Sequence, residues 1–124
     1  MSDGMLDREQ RGHVEVLTVR QAEVVQAEII ERLGHTIRKA IDLSDAACFV
    51  LDLSAVRFMT SGALGLIIHL HAQLAERDRA FVLAAATDDV ASALQRARLA
   101  EVLPVYATVE EAVRDQACPP PGDS

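Results

Sequence analysis

Two adjacent hydroxyl residues, Thr60 and Ser61, have the clearest chemical potential in this sequence. They follow an apolar segment and precede residues with helical spacing, so they should lie where the first backbone N–H groups of a helix lack intrahelical partners. A hydroxyl at that place can cap the helix, and the helix dipole favours an added anion there. The pair therefore predicts either a plain helix cap or a site that accepts an anionic group.

No residue pattern in the sequence points to catalysis or metal binding. His69 and His71 are two residues apart and belong to different helix faces, so they cannot share a metal ion as a pair four apart would. Ser61 is not a hydrolase nucleophile, because the nucleophile elbow needs glycine where Met59 stands. The glycines that follow Ser61 lack the spacing and the lysine of a nucleotide-binding loop. We therefore expect a non-enzymatic protein without metal or cofactor.

A buried strand and a helix should position Thr60 and Ser61. The run from Cys48 to Leu53 is apolar except for Asp52, which is typical of a strand buried on both faces of a sheet. We interpret Asp52 as a strand-end acid satisfied by neighbouring backbone N–H groups. Beyond the turn, apolar residues recur at helical spacing, which predicts a helix with one core face. Those residues are Ala63, Leu66, Ile67, Leu70 and Leu74.

The rest of the chain alternates strands and helices, which predicts a mainly parallel sheet with helices packed against it. The predicted elements are a strand at 13–19, a helix at 26–42, a strand at 80–85, a helix from Thr87 to about residue 99, an edge strand at 102–106 and a last helix opened by a Thr108–Glu111 capping box. Between the first strand and the first helix, the sequence allows either a short second strand within 20–25 or an earlier helix start within 21–27. We expect residues 1–12 to be a flexible N-terminus, 13–116 one domain and 117–124 a disordered Pro-rich tail.

Composition restricts the class of partner. The chain has 124 residues, 19 acidic and 12 basic side chains and a net charge of −7. This charge disfavours nucleic acid and anionic membranes and favours basic partners. The sequence contains neither a secretory h-region nor an apolar run long enough to span a membrane, so we expect no membrane insertion and a cytoplasmic location. Cys48 and Cys118 lack companion ligands and are expected to be free thiols.

Two segments resemble the STAS family, the domain of anti-sigma factor antagonists and of sulfate-transporter tails. LDLSAVRFMTSGALGLII resembles the family signature, and ALQRARLAEVLPVYATVEEAV resembles its last helix, short strand and closing helix. The resemblance covers roughly residues 13 to 115. It implies a single STAS-like α/β domain with a mixed, mainly parallel sheet and four helices packed against it.

The resemblance also implies a position for phosphorylation. The family loop usually reads Asp, Ser, Ser or Thr, Gly, Leu, Gly, and a partner kinase phosphorylates the third residue to switch binding off. A gap-free match places Thr60 at the Asp, Ser61 at the first Ser and Gly62 at the phosphoacceptor. Glycine has no hydroxyl to phosphorylate. Either a kinase uses Ser61 or Thr60 instead, or the protein stays unphosphorylated and is controlled by its abundance, which is the hypothesis we favour.

The helix after Ser61 carries a second apolar line that suggests a contact surface. Leu64, Ile68 and Ala72 turn away from the core line, so they are either covered by flanking helices or exposed as an interface. The residues predicted to bind a partner are Phe58, Met59, Ala63, Leu64 and Ile68.

Pattern and resemblance together predict a non-catalytic protein-interaction module. The resemblance implies an anti-sigma factor antagonist that binds an anti-sigma factor or switch kinase and so releases a sigma factor. The alternative is a regulatory or docking subunit of an anion or lipid transporter or of a stressosome-like complex. A homodimer is left open.

Overall fold

The computed structural model describes residues 4–117 and shows seven strands and four helices. The strands are β1 Leu6–Arg11, β2 Val14–Val19, β3 Glu23–Val24, β4 Cys48–Asp52, β5 Phe58–Met59, β6 Ala80–Ala84 and β7 Val105–Tyr106. The helices are α1 Ala27–Asp42, α2 Ser61–Ala75, α3 Asp88–Arg96 and α4 Val109–Ala117, with a 3-10 turn at Leu99–Glu101.

The main sheet has the strand order β1-β2-β4-β6-β7, with β4 at its centre. Only β1 runs antiparallel to its neighbour, and β2, β4, β6 and β7 are parallel to one another. Val50 in the middle of β4 pairs with Val16 on one side and Val82 on the other. The predicted mixed, mainly parallel sheet with four helices is confirmed.

The central strand is apolar throughout because both faces of the sheet are covered. Phe49 and Leu51 face α1, α2 and α3 in the larger core, whereas Cys48 and Val50 face α4 in a smaller one. Successive side chains of a strand point to opposite faces, so continuous burial removes the usual alternation of apolar and polar residues. Burial also raises the pKa of the Cys48 thiol to about 12, so this free cysteine stays protonated and unreactive at neutral pH.

The prediction of a flexible N-terminus at 1–12 is wrong for residues 6–11, which form β1. This strand pairs with β2 along its whole length, and Leu6 is its only fully buried residue. Its other side chains are mostly charged because it lies at the edge of the sheet, where charges discourage pairing with another chain. The hydrophobic pattern of a buried strand is therefore missing from this segment.

The remaining differences concern short elements. Of the two alternatives for residues 20–27, the short strand is confirmed as β3, and it pairs with the unpredicted β5 in a separate two-stranded sheet. The edge strand predicted at 102–106 is only Val105–Tyr106. The last helix begins as predicted, with the Glu111 N–H donating to the Thr108 hydroxyl at 3.1 Å. Ala117, expected in the tail, belongs to α4, and residues 118–124 with Cys118 lie outside the described residues.

An ion pair attaches the edge strand to the core. Glu15 in β2 is 2% exposed and accepts a hydrogen bond from Arg8 Nε of β1 at 2.6 Å. A second pair, Arg11 with Glu9, is exposed and 3.3 Å long. A carboxylate as buried as Glu15 needs its cation, because unpaired burial of a charge is costly.

Replacing Arg8 should therefore destabilise the fold more than replacing Arg11. We expect Arg8→Ala to lower the free energy of unfolding by about 1–3 kcal/mol, because it leaves a buried carboxylate unpaired. Arg11→Ala, the matched control in the same strand, should change it by less than about 0.5 kcal/mol. Urea unfolding of both variants measures the difference, and equal effects would show that the pair to Glu15 does not hold β1.

Candidate functional site

The turn between β4 and α2 is held at the carboxyl end of the central strand. Asp52 accepts hydrogen bonds from the Ser54 N–H at 3.0 Å and from the Thr18 hydroxyl at 3.1 Å, which confirms its interpretation as a satisfied strand-end acid. The Thr87 hydroxyl donates to the Val56 carbonyl at 2.8 Å, so the start of α3 is tied to the same turn. The turn is therefore fixed by its neighbours on both sides.

The short pairing of β3 with β5 sets the direction in which the chain enters α2. The Phe58 N–H donates to the Ala22 carbonyl at 3.1 Å, and the Thr60 N–H donates to the Val24 carbonyl at 3.2 Å. These bonds join the two ends of β5 to the β3 segment, and Phe58 is 46% exposed. The result is an aromatic side chain presented to solvent beside the first turn of α2.

Thr60 and Ser61 lie at the helix start, as predicted. Thr60 occupies the N-cap position with an extended backbone, but its hydroxyl makes no capping hydrogen bond. Ser61 is the first helical residue and is exposed, and Gly62 after it is exposed as well. A Cβ added at Gly62 would meet Ile30 Cδ1 at 3.4 Å, so a small side chain fits there without displacing backbone. The absence of a hydroxyl at position 62 is therefore not imposed by crowding.

The five residues predicted to bind a partner divide into three that reach the surface and two that do not. Phe58 is exposed, Ile68 is 38% exposed and Met59 is half-buried. Ala63 and Leu64 are buried, with Leu64 only 7% exposed, and both belong to the larger core. The prediction that these two contact a partner is wrong, because both side chains lie in the core. Around the α2 axis, the buried face includes Leu64 but not Ile68.

The exposed face of α2 is unusual for the absence of charge. Ser61–Ala75 contains no Asp, Glu, Lys or Arg, whereas α1, α3 and α4 each have acids in the first turn and a base in the last. That pattern in the other helices complements the helix dipole. A solvent-facing stretch without charge, next to an exposed phenylalanine, has the composition of the centre of a protein interface. We call the exposed residues of this region the α2 surface; they are Phe58, Ser61, Gly62, Gly65 and Ile68.

A groove beside the α2 surface contains residues that the sequence analysis did not identify. It is an open groove of about 320 Å³ between β5 and α3. Its lining residues are Val25, Phe58, Met59, Asp89, Ser92, Ala93 and Arg96. The four α3 residues recur at spacings of three and four, so the sequence places them on one face of the helix, but only the fold shows that this face meets β5.

The other residues considered for chemistry do not converge on a site. His69 is exposed and His71 is half-buried, which confirms that they belong to different faces. Within residues 4–117, no three or more His, Cys, Asp or Glu side chains are grouped so that they could hold a metal ion. None of the helices in that range has the length and apolar character needed to cross a membrane.

Comparison with known proteins assigns the family. The STAS domain family model matches residues 6–112, and the chain belongs to this family. No curated protein matches the chain at a significant level. The fold is similar to that of an anti-sigma-factor antagonist (STAS) domain protein from Planctomyces limnophilus, with a TM-score of 0.78 and 20% identity over 91% of this chain and 98% of that one.

Two further solved structures have the same fold. An anti-sigma factor antagonist from Mycobacterium paratuberculosis has a TM-score of 0.73 and 23% identity, covering 89% of this chain and 91% of that one. The anti-sigma factor antagonist SpoIIAA in its unphosphorylated form has a TM-score of 0.72 and 20% identity, covering 93% and 99%. At these identities the similarity concerns the fold.

Gly65 provides a test of the α2 surface that does not depend on a partner. Among residues 4–117, apart from its chain neighbours and the backbone of α2, nothing lies within 4 Å of a Cβ added there. Gly65→Ala should therefore raise the free energy of unfolding by about 0.5–1 kcal/mol through helix propensity. Gly34→Ala is the matched control. Its Cβ would lie 2.9 Å from Leu66 Cδ1, so the cost of this close contact should cancel the stabilisation from helix propensity. Thermal and urea unfolding measure the free energy of unfolding of both variants. A destabilised Gly65→Ala would mean that position 65 packs against part of the protein.

Proposed function

We propose that this chain is an anti-sigma factor antagonist that binds an anti-sigma factor or switch kinase through the α2 surface. The observation that carries the proposal is the uncharged, exposed first half of α2 beside Phe58, in a protein with a net charge of −7. Family membership and the fold shared with proteins named as anti-sigma factor antagonists support this kind of function.

The proposed mechanism is competition between two proteins for one binding partner. By occupying the anti-sigma factor, the α2 surface would exclude the sigma factor, which could then join RNA polymerase. Binding requires only a preformed apolar surface with a hydrogen-bonding rim, which Phe58, Ile68 and the Ser61 hydroxyl provide. Because the turn is held on both sides by hydrogen bonds, the surface needs little ordering on binding.

A charge at Ile68 should weaken partner binding without unfolding the protein. We expect Ile68→Asp to weaken binding at least about 10-fold, because it places a carboxylate in a desolvated apolar contact. Ala75→Asp is the matched control: it adds the same charge to an exposed position in α2, about 10 Å further along the helix. Titration calorimetry with anti-sigma factors from the same genome measures both affinities. Equal affinities for Ile68→Asp and the unchanged protein would contradict the proposed surface.

Leu64→Asp should behave differently from Ile68→Asp although the two positions are one helical turn apart. Leu64 is buried, so a carboxylate there should lower the free energy of unfolding by several kcal/mol, in the range of about 3–5. Circular dichroism during urea unfolding separates loss of fold from loss of binding. A stable Leu64→Asp variant that fails to bind would return Leu64 to the interface.

We further propose that the protein is not switched by phosphorylation of this loop. Gly62 offers no hydroxyl, and Ser61 and Thr60 are the only hydroxyl residues between Arg57 and Gln73. A phosphate on either would add about −1.5 to −2 charge at a helix start that tolerates anions, so the fold would survive, while binding through an apolar contact would lose free energy because the phosphate must be desolvated there.

Mass spectrometry of the protein isolated from its own cells tests this second proposal. We expect Ser61 and Thr60 without phosphate, and we expect Ser61→Ala to retain most of the partner affinity, because it removes one exposed rim hydroxyl and changes no charge. Substantial phosphate on either residue, together with loss of binding in Ser61→Asp, would show that the switch operates at a substitute position.

A further inference from the structure

The groove between β5 and α3 is continuous with the α2 surface. Phe58 belongs to both, and Met59 with Val25, which is 40% exposed, extends the apolar floor of the groove. The opposite wall is one face of α3, with the small residues Ser92 and Ala93 at its middle. β5 forms its backbone hydrogen bonds with β3, and side chains of β5 and α3 line the groove.

The two ends of this groove carry opposite charges. Asp89 lies in the first turn of α3 and Arg96 in its last, seven residues and about 10 Å apart. Both side chains are exposed, and neither forms an ion pair with any other residue of 4–117. The groove therefore has an apolar floor about two helical turns long, with an anion at one end and a cation at the other. A charged segment that binds along the groove would prefer one chain direction over the opposite one.

We infer that the groove receives a helix of the anti-sigma partner that runs antiparallel to α3. This inference rests on the proposed function and adds a second contact to it. Helices favour acids in the first turn and bases in the last, so a partner helix would pair its N-terminal acid with Arg96 and its C-terminal base with Asp89 only in the antiparallel direction. The small residues at the middle of α3 allow the close approach of a second helix. An apolar side chain of the partner would fill the space over Met59 and Val25.

Site-specific photo-crosslinking in the native cell tests this docking. A photoreactive phenylalanine analogue is placed in the full chain at Ser61, in the α2 surface, or at Ser92, in the groove. Arg114 on α4 is the matched exposed control, because α4 packs on the other face of the sheet. We expect positions 61 and 92 to capture the same protein and position 114 to capture none of it. The peptide joined to position 92 should be helical, with an acid, an apolar residue and a base in that order.

The outcomes separate the two proposals. If position 61 captures an anti-sigma factor and position 92 captures no more than position 114, the groove inference is wrong and the proposed function stands. If neither position captures an anti-sigma factor, both are wrong. If position 92 joins a second copy of this chain or an unstructured peptide, the inferred partner helix is wrong.

Charge reversal with the captured partner gives the quantitative test. Arg96→Glu should weaken binding by about 5- to 10-fold at low salt and by less at high salt, because an exposed pair is screened. Arg114→Glu makes the same charge change away from the groove and should leave the affinity unchanged. A lysine in place of the crosslinked partner acid should restore binding to Arg96→Glu. Absence of this rescue would overturn the assigned orientation.

Discussion

Burial of β4 on both faces is the constraint on which the rest of the structure depends. Phe49, Val50 and Leu51 are almost completely buried, and their strand neighbours on each side are buried as well. Covering both faces requires the crossover helices α1 to α3 on one side and α4 on the other. Since parallel strands share one carboxyl edge, this arrangement brings the turn after β4, the start of α2 and the start of α3 together.

The division of α2 between core and surface follows from the same arrangement. Ala63, Leu64 and Ile67 pack on the sheet, so the outer face begins at Gly62, Gly65 and Ile68. The glycines have no conformational requirement at these helical positions, and helix propensity alone would favour alanine. Their presence on an uncharged outer face is understandable if another protein approaches the helix backbone there. This is why the α2 surface carries the functional proposal.

Much of the fold could be predicted from apolar periodicity, because long elements with one or two buried faces have distinct patterns. The strands β2, β4 and β6 and the four helices are of this kind. β1 could not be predicted in this way, since a charged edge strand buries almost nothing but Leu6. β5 was missed because two residues are too few to show a period, and its pairing with β3 depends on tertiary structure.

The candidate site was only partly predictable for a related reason. Sequence placed Thr60, Ser61 and Phe58 together because they are adjacent along the chain. It could not decide which of Leu64 and Ile68 is buried and which is exposed, since both are apolar and lie one helical turn apart. The groove joins Val25, Phe58 and Arg96 from three distant segments, and such a juxtaposition is visible only after folding.

Displacement of a sigma factor tests the central claim most directly. A fluorescently labelled sigma factor is bound to its purified anti-sigma factor from the same genome, and this protein is added while anisotropy is followed. The account predicts a saturable fall in anisotropy to the value of the free sigma factor. Ile68→Asp should require at least about 10-fold more protein for the same fall, and Ala75→Asp should act like the unchanged protein. Unchanged anisotropy with every anti-sigma factor of that genome, at concentrations where this protein is folded, would contradict it.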